Sequence, residues 1–401
     1  MRSSAIVAAL ALATSVLAAP AKRTTAFADI PVEYLKGFKN PIIESSAGGK
    51  ALCISGMIDV TVSATNILMK SQEPANDIAV TELLVETFQI NSTVSEKLVG
   101  GPNSVNGTFG IYSKLCFPVG GSINATTVHF TIHGAGFGRE YWDFAPGYSY
   151  VDFAAEQGYT TFSYDRLGSA QSDHPDPIQI VQLNIQVSIA HELIQSLRTG
   201  GISDTAFEHV VGVGHSLGSF QTVGITTRYP DDLDAAVLTG FSPSLAGIPV
   251  AFAGVNLAPA AGSQPLRFSS LANGYLSSGD IHGTQFFFFR APGFDPALLD
   301  LAEMNKQTVT VGEFLTIAKP VVTNFTGPID VVNGESDFPN CSGNCSLPYN
   351  LAAAVKDAFY PLASNGSSWY LAPLSGHGLN LHYSAPGAYE HILDFVKRNG
   401  L

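Results

Sequence analysis

Gly212-Val213-Gly214-His215-Ser216-Leu217-Gly218 follows a short apolar strand, His209 to Val213, and sets a serine between glycines two positions before and two positions after. A chain that turns sharply from strand to helix holds its apical residue in a strained backbone conformation and leaves no room for side chains on the flanks. Gly214 and Gly218 meet that steric demand. In a chain with 39 glycines the same spacing also arises by chance, so its meaning rests on what surrounds it.

The surroundings define an α/β chain. From about Cys53 to Phe130 the sequence reads as antiparallel sheet: Ile58 to Ser63 alternates, and Leu83 to Ile90 and Gly107 to Phe117 are further candidate strands. Val128-His129-Phe130-Thr131-Ile132 then reads as a strand running into His133-Gly134-Ala135-Gly136. Tyr150 to Gln157 reads as a helix, Thr160 to Tyr164 as a strand, and Asp165-Arg166-Leu167-Gly168 as a loop. Ile178 to Arg198 carries Val181, Ile185, Ile189, Leu193 and Leu197 at four-residue spacing, the mark of a long amphipathic helix. The serine turn, a helix after Ser216 and a strand from Ala235 to Leu238 follow. Such alternation gives a mostly parallel central sheet with helices on both faces. Active residues then belong at the carboxyl ends of its strands.

Regularity stops after Gly240. Residues 241–326 hold proline and glycine clusters, a helix-like stretch from Pro296 to Met304 and the run Phe286-Phe287-Phe288-Phe289. This segment reads as an insertion that caps the sheet. Its aromatic run either lines a pocket or forms a buried strand or helix segment. Alternation resumes with a strand from Pro328 to Val332, ending in Asn333-Gly334-Glu335-Ser336-Asp337. A last strand, Ser368 to Ala372, leads to Leu374-Ser375-Gly376-His377-Gly378, and a helix from Ala388 to Arg398 closes the chain.

Composition narrows the function. The 401 residues are 45% apolar and only 13% charged, with 23 prolines, as in a compact, loop-rich globular protein. A net charge of −13, with only 20 lysines and arginines, argues against a nucleic-acid partner and fits a neutral or weakly polar substrate. Arg2, the apolar stretch Ala5 to Leu17 and the small residues Ala18-Ala19 read as an export signal over residues 1–19, with Lys22-Arg23 a further processing site after residue 23. A buried N-terminal helix is the alternative. No later run is long and apolar enough for a transmembrane segment. Asn91, Asn106, Asn124, Asn324, Asn340, Asn344 and Asn365 begin N-x-S/T sequons, which beside an export signal favours a glycosylated extracellular or cell-wall protein. Four cysteines allow three pairings, and chain order suggests Cys53–Cys116 and Cys341–Cys345. Their spacing matches no common zinc pattern. The expected organisation is therefore a leader, a core over 24–240 and 327–401 with N-terminal antiparallel strands, and a cap or lid over 241–326.

Residues 80 to 398 resemble the α/β-hydrolase family, including its secreted esterases and lipases, least over 241–326. Gly-His-Ser-Leu-Gly is similar to the family's nucleophile elbow, which implies the nucleophile role for Ser216. The family's acid follows the strand ending here at Gly334 and matches Asp337; its histidine follows the last strand and matches His377. The order serine, acid, histidine is the family's order. His133-Gly134 resembles its oxyanion loop. Tyr164 to Gly168 looks like another of its loops, although the continuation Ser169-Ala170-Gln171-Ser172 lacks a glycine often seen there. The resemblance implies an α/β-hydrolase fold with the cap inserted between the sixth strand and the acid-bearing strand.

The same residues make chemical sense on their own. A serine hydroxyl needs an adjacent base to take its proton, and histidine is the natural one, its tautomer fixed by a carboxylate. His377 lies between glycines on a loop after a strand, with His382 the rival base. Asp337 is the preferred acid; Glu335 shares its loop, and Asp330 lies inside the strand. The backbone N–H of Leu217, with Ala135 first and Gly136 next from the other loop, would stabilise an oxyanion. Asp165-Arg166 reads as a structural ion pair, Asp231-Asp232 as a solvated turn, and His215 as a locally bonded residue. The expectation is a secreted serine hydrolase that cleaves a small hydrophobic or lipid-like ester through an acyl-enzyme, with no metal or organic cofactor. A catalytically silent module that binds a small hydrophobic ligand is the alternative. Haloalkane hydrolysis is disfavoured because it wants a carboxylate at the elbow.

Overall fold

The computed structural model of the chain describes residues 32–71, 73–120, 126–317 and 321–401. The expected leader over 1–19, Lys22-Arg23 and the sequon at Asn124 lie outside the described residues.

The first half of the sheet is built by alternation. An edge strand β1 (Lys39–Ser45) pairs antiparallel with the long β2 (Ala51–Met69). Along β2, Ile58, Val60, Val62 and Ala64 are buried while Asp59, Thr61, Ser63 and Thr65 are exposed, so one face packs on the core and the other meets water. Two helices follow, α1 (Asp77–Phe88) and α2 (Val94–Leu98), before the equally long β3 (Val99–Pro118) returns antiparallel to β2. Leu83 to Ile90, expected as a strand, is thus mostly helix. Asn76 caps it, its side chain accepting from the Ala79 N–H at 3.1 Å, with Asp77 in the first turn. The register pairs Cys53 with Cys116, and these two form a disulfide; the second links Cys341 and Cys345.

The second half is parallel and carries little alternation because its strands are covered on both faces. It comprises β4 (Thr127–Ile132), helix α3 (Tyr150–Glu156), β5 (Thr160–Tyr164), helix α4 (Leu183–Arg198), β6 (His209–His215), helix α5 (Leu217–Arg228) and β7 (Ala235–Thr239). The stripe from Val181 to Leu197 read from the sequence is buried, although the helix itself begins at Leu183. After β7 the chain enters a mainly helical cap. It contains α6 (Ile248–Val255), β8 (Leu257–Pro259), short helices α7 (Ala260–Ser263) and α8 (Pro265–Phe268), β9 (Tyr275–Ser278), α9 (Ile281–Phe288), α10 (Pro296–Asn305), β10 (Val309–Thr310) and α11 (Val311–Thr316). Strands β8 to β10 form a small antiparallel sheet of their own. The phenylalanine run closes α9, with Phe287, Phe288 and Phe289 buried and Phe286 exposed.

The core resumes with β11 (Ile329–Gly334), α12 (Phe338–Cys341), α13 (Ala354–Phe359), β12 (Ser368–Ala372) and the amphipathic α14 (Ala385–Arg398). The nine strands of the main sheet run β1-β2-β3-β5-β4-β6-β7-β11-β12. Everything from β5 to β12 in that order is parallel. Helices flank the sheet: α4 packs on α5 and β2, while α14 packs on α3 and β12. No helix among the described residues is long and apolar enough to cross a membrane.

Candidate active site

The carboxyl ends of β6, β11 and β12 converge on one spot. At the first, Ser216 takes φ 53° and ψ −116°, a conformation that L-residues rarely adopt. Its N–H donates to the Thr239 carbonyl at 2.9 Å and its carbonyl accepts from Phe220 N–H at 3.1 Å, so both neighbouring elements hold the turn. A Cβ on Gly218 would stand 2.2 Å from the Ile132 carbonyl oxygen, and one on Gly214 would stand 2.5 Å from the Gly218 oxygen. Only glycine fits at either place.

Asp337 follows β11 and caps α12, one carboxylate oxygen accepting from the Asn340 N–H at 2.9 Å. Its other oxygen lies 2.8 Å from His377 Nδ1, and His377 Nε2 lies 2.8 Å from Ser216 Oγ. With Nδ1–H donating to Asp337, Nε2 is left as the acceptor for the serine hydroxyl. Asp337 and His377 are buried and Ser216 is half-buried. The loop carrying His377 is pinned by the Gly378 N–H, which donates to the Phe288 carbonyl at 2.7 Å. His377 also packs against the rings of Phe287 and Phe288. The cap therefore helps hold this side chain.

The other candidates for acid and base stand apart. Asp330 accepts from Ser368 Oγ at 2.7 Å and pairs with His391, while Glu335 is exposed. His382 Nε2 accepts two backbone N–H groups, from Arg290 at 3.0 Å and Gly376 at 3.1 Å. Burial pushes its pKa down to about 4, so it serves as a neutral bracket. His215 bonds Thr239 Oγ1 at 3.0 Å and stacks on Tyr141. Burial, then the neighbouring His377, holds its pKa well below the ordinary histidine value.

Across from Ser216, His133 Nε2 accepts from the Arg166 N–H at 3.0 Å, so its Nδ1–H donates to the Gly134 carbonyl at 2.9 Å. Burial first, then Arg166, keeps this imidazole neutral. Fixing the Gly134 carbonyl also fixes the N–H of the same peptide, that of Ala135, which points the opposite way. Among the described residues, neither that N–H nor those of Gly136 and Leu217 has a hydrogen-bond partner. Unpaired backbone donors beside a serine hydroxyl are suited to an anionic oxygen.

Three sequence readings need correction. Asp165 and Arg166 do not pair with each other: Asp165 binds Arg139 at 2.5 Å, and the buried Arg166 pairs with Glu313 of the cap. Asp232 is buried rather than solvated, accepting from Gln195 at 2.8 Å beside His191. The Asn340 side chain is also buried, its amide donating to the Gly240 carbonyl at 2.7 Å, which leaves no space for a glycan. Asn91, Asn106, Asn324, Asn344 and Asn365 are exposed. Asn340, read from the sequence only as a sequon, instead lies 3.4 Å from His377 Nδ1, a placement that no local sequence signal marks. Among the described residues, no cluster of three or more His, Cys, Asp or Glu side chains could hold a metal ion.

A parallel sheet with a strained serine turn at its carboxyl edge and a cap inserted before the next strand defines a class of fold. A model of the alpha/beta hydrolase family matches residues 130–392, well over half of the chain, and the chain belongs to that family. Among curated proteins, none matches the chain in sequence. A thermophilic esterase from Thermogutta terrifontis is 11% identical, with a TM-score of 0.49 over 73% of this chain and 95% of that one. A solved structure from a study of Nitrososphaera gargenis carboxylesterases is 12% identical, with a TM-score of 0.48 over 73% and 96%. Rv0554 from Mycobacterium tuberculosis is 19% identical, with a TM-score of 0.47 over 74% and 95%. Membership supports hydrolase activity in general.

Proposed function

We propose that the protein is a serine hydrolase of carboxylic esters that works through an acyl-enzyme on Ser216. The observation that carries this reading is the continuous chain of hydrogen bonds from Ser216 Oγ through His377 to Asp337, each 2.8 Å long. Ser216 Oγ attacks the ester carbonyl carbon as its proton passes to His377 Nε2. The buried Asp337 carboxylate stabilises the imidazolium that forms. The N–H groups of Leu217 and Ala135 take the oxyanion, with Gly136 the alternative donor. Collapse breaks the bond to the alcohol oxygen, which leaves with the proton from His377. Water then attacks the acyl-enzyme, giving its proton to His377, and the acid departs as that proton returns to Ser216.

An exported, glycosylated protein fits the remaining features. The two disulfides belong to an oxidising compartment, and five exposed sequons are available to a glycan. Their company with the leader read at residues 1–19 supports secretion.

Hydrolysis of p-nitrophenyl esters from acetate to palmitate, with the protein and its Ser216→Ala variant, tests the reading. Turnover that falls by about 10³-fold or more in the variant, together with loss of fluorophosphonate labelling, is the expected result. No turnover of any ester and no labelling of Ser216 would overturn it in favour of a silent ligand-binding module.

A further inference from the structure

We infer that the cavity leading away from Ser216 takes a medium-chain acyl group, and that α1 and α2, inserted between β2 and β3, form its far wall and set the chain length. The inference rests on the reading of Ser216 as nucleophile. A cavity of about 370 Å³ opens at Ser216, Ala135 and Leu217. The cap contributes Phe252, Phe287 and Phe314 to its lining, and the insertion contributes Thr87, Phe88, Val94 and Leu98.

Aromatic rings run through these walls without a break. Phe287 lies 5.3 Å from the His377 ring, Phe252 lies 5.7 Å from Phe287, and Phe88 lies 5.8 Å from Phe252. Phe314 closes the series, 4.9 Å from Phe252 and 5.8 Å from Phe88. Such a lining offers a substrate dispersion and desolvation but few polar partners, which selects for hydrocarbon. A cavity of this volume has room for a hydrocarbon chain and not only for a single small group. An unbranched acyl chain several carbons longer than acetate fits within it.

A second cleft, of about 440 Å³, touches His377 and is lined in part by His282, Gln285, Arg290 and Ser336. The leaving alcohol takes its proton from His377, so it departs on that side, and the polar lining suits it. The acyl half therefore belongs to the apolar cavity at the oxyanion donors. Phe287 lines both spaces and separates the two halves of the substrate.

Thr87→Trp fills the far end of the cavity from the half-buried last turn of α1, and Phe88→Ala enlarges it. The ratio of kcat/KM for p-nitrophenyl dodecanoate over butyrate is expected to fall by about tenfold or more in Thr87→Trp. Fluorophosphonate labelling of Ser216 should persist in Thr87→Trp, and Phe88→Ala should move the optimum to longer chains. An unchanged chain-length profile in both variants, or a parent that prefers acetate to every longer ester, overturns the inference while leaving the ester-hydrolase reading intact. If Ser216 proves unreactive, that reading fails and calorimetry with dodecanoate decides the cavity. Binding that Thr87→Trp weakens supports the assignment, and no binding to the parent overturns it.

Discussion

A guanidinium sealed from water needs a carboxylate beside it, and Arg166 has Glu313. Glu313 also accepts from Gln186 at 2.8 Å and completes a capping box with Thr310 at the start of α11. One buried carboxylate therefore joins a core loop, a core helix and the cap. Arg166 reaches the Gly134 carbonyl as well, at 3.4 Å, so the pair stands directly behind the proposed oxyanion loop. Glu313→Gln leaves the arginine charge buried and unpaired, and is expected to destabilise the fold by about 3–5 kcal/mol. Chemical denaturation of the variant reads this; an unchanged midpoint would mean that water or another group takes over the charge. Asp337→Asn is the complementary experiment at the site. An amide oxygen can still accept from Asn340, so the loop should stand, while kcat falls by on the order of 10⁴-fold because the histidine tautomer is no longer enforced.

At the level of single elements, the serine turn is the most constrained. Gly218→Ala drives a Cβ to 2.2 Å from the Ile132 carbonyl, where neither backbone can yield without breaking β4 or α5. Soluble, folded protein should be lost or much reduced, as seen by yield and circular dichroism; a normally folded variant would contradict the close approach. The cross-strand disulfide is the second such device. Replacing Cys53 and Cys116 with serine opens a loop of sequence separation 63 and is expected to cost about 2–5 kcal/mol, read from the denaturation midpoint. Elements like these are legible because each leaves a local mark: glycines at fixed offsets, apolar strands that stop at a histidine or an acid, a helix with a stripe every four residues. Ser216, Asp337 and His377 stand in the sequence at the ends of three such strands, and the fold brings them within hydrogen-bond reach. The insertion after β2 left a weaker mark. Helix α1 has exposed Ile78 and Val85 and buries fully only Val80, so its apolar residues do not form the stripe that betrays a helix. The capping residue Asn76 was the available signal. Long-range partners such as Arg166 with Glu313 leave no local trace at all.

For the molecule as a whole, buried histidines set the response to acid. Burial holds His129 near a pKa of about 3 and His382 near about 4. His133 and His215 lie well below 6.5, again chiefly through burial. An unfolded chain takes up protons at these groups near pH 6.5 while the folded one does not, so stability falls as pH drops below that value and keeps falling toward 4. Glu140 acts in the opposite sense. Burial, then Asp165, raises its carboxyl to about 7, so the unfolded chain loses this proton first and stability declines as pH rises from 4.5 to 7. Burial lowers His174 in the same way and raises Asp232 like Glu140, so five histidines stand against two carboxyls and give a net loss on acidification. Denaturation midpoints at pH 7.5, 6 and 4.5 should descend in that order, and a flat profile would mean that the histidines gain partners when they charge.

The long hairpin of β2 and β3 reaches past the sheet and delivers α1 and α2 to the far wall of the cavity. It ends at Pro118, ahead of the stretch 130–392 that carries the family's pattern. In the proposed acyl site, the wall built by α1 and α2 lies outside the passage that holds Ser216, Asp337 and His377, while Phe252, Phe287 and Phe314 lie within it. A graft exchanging only residues 70–98 for another hairpin tip is expected to shift the acyl length accepted and to leave Ser216, Asp337 and His377 in place.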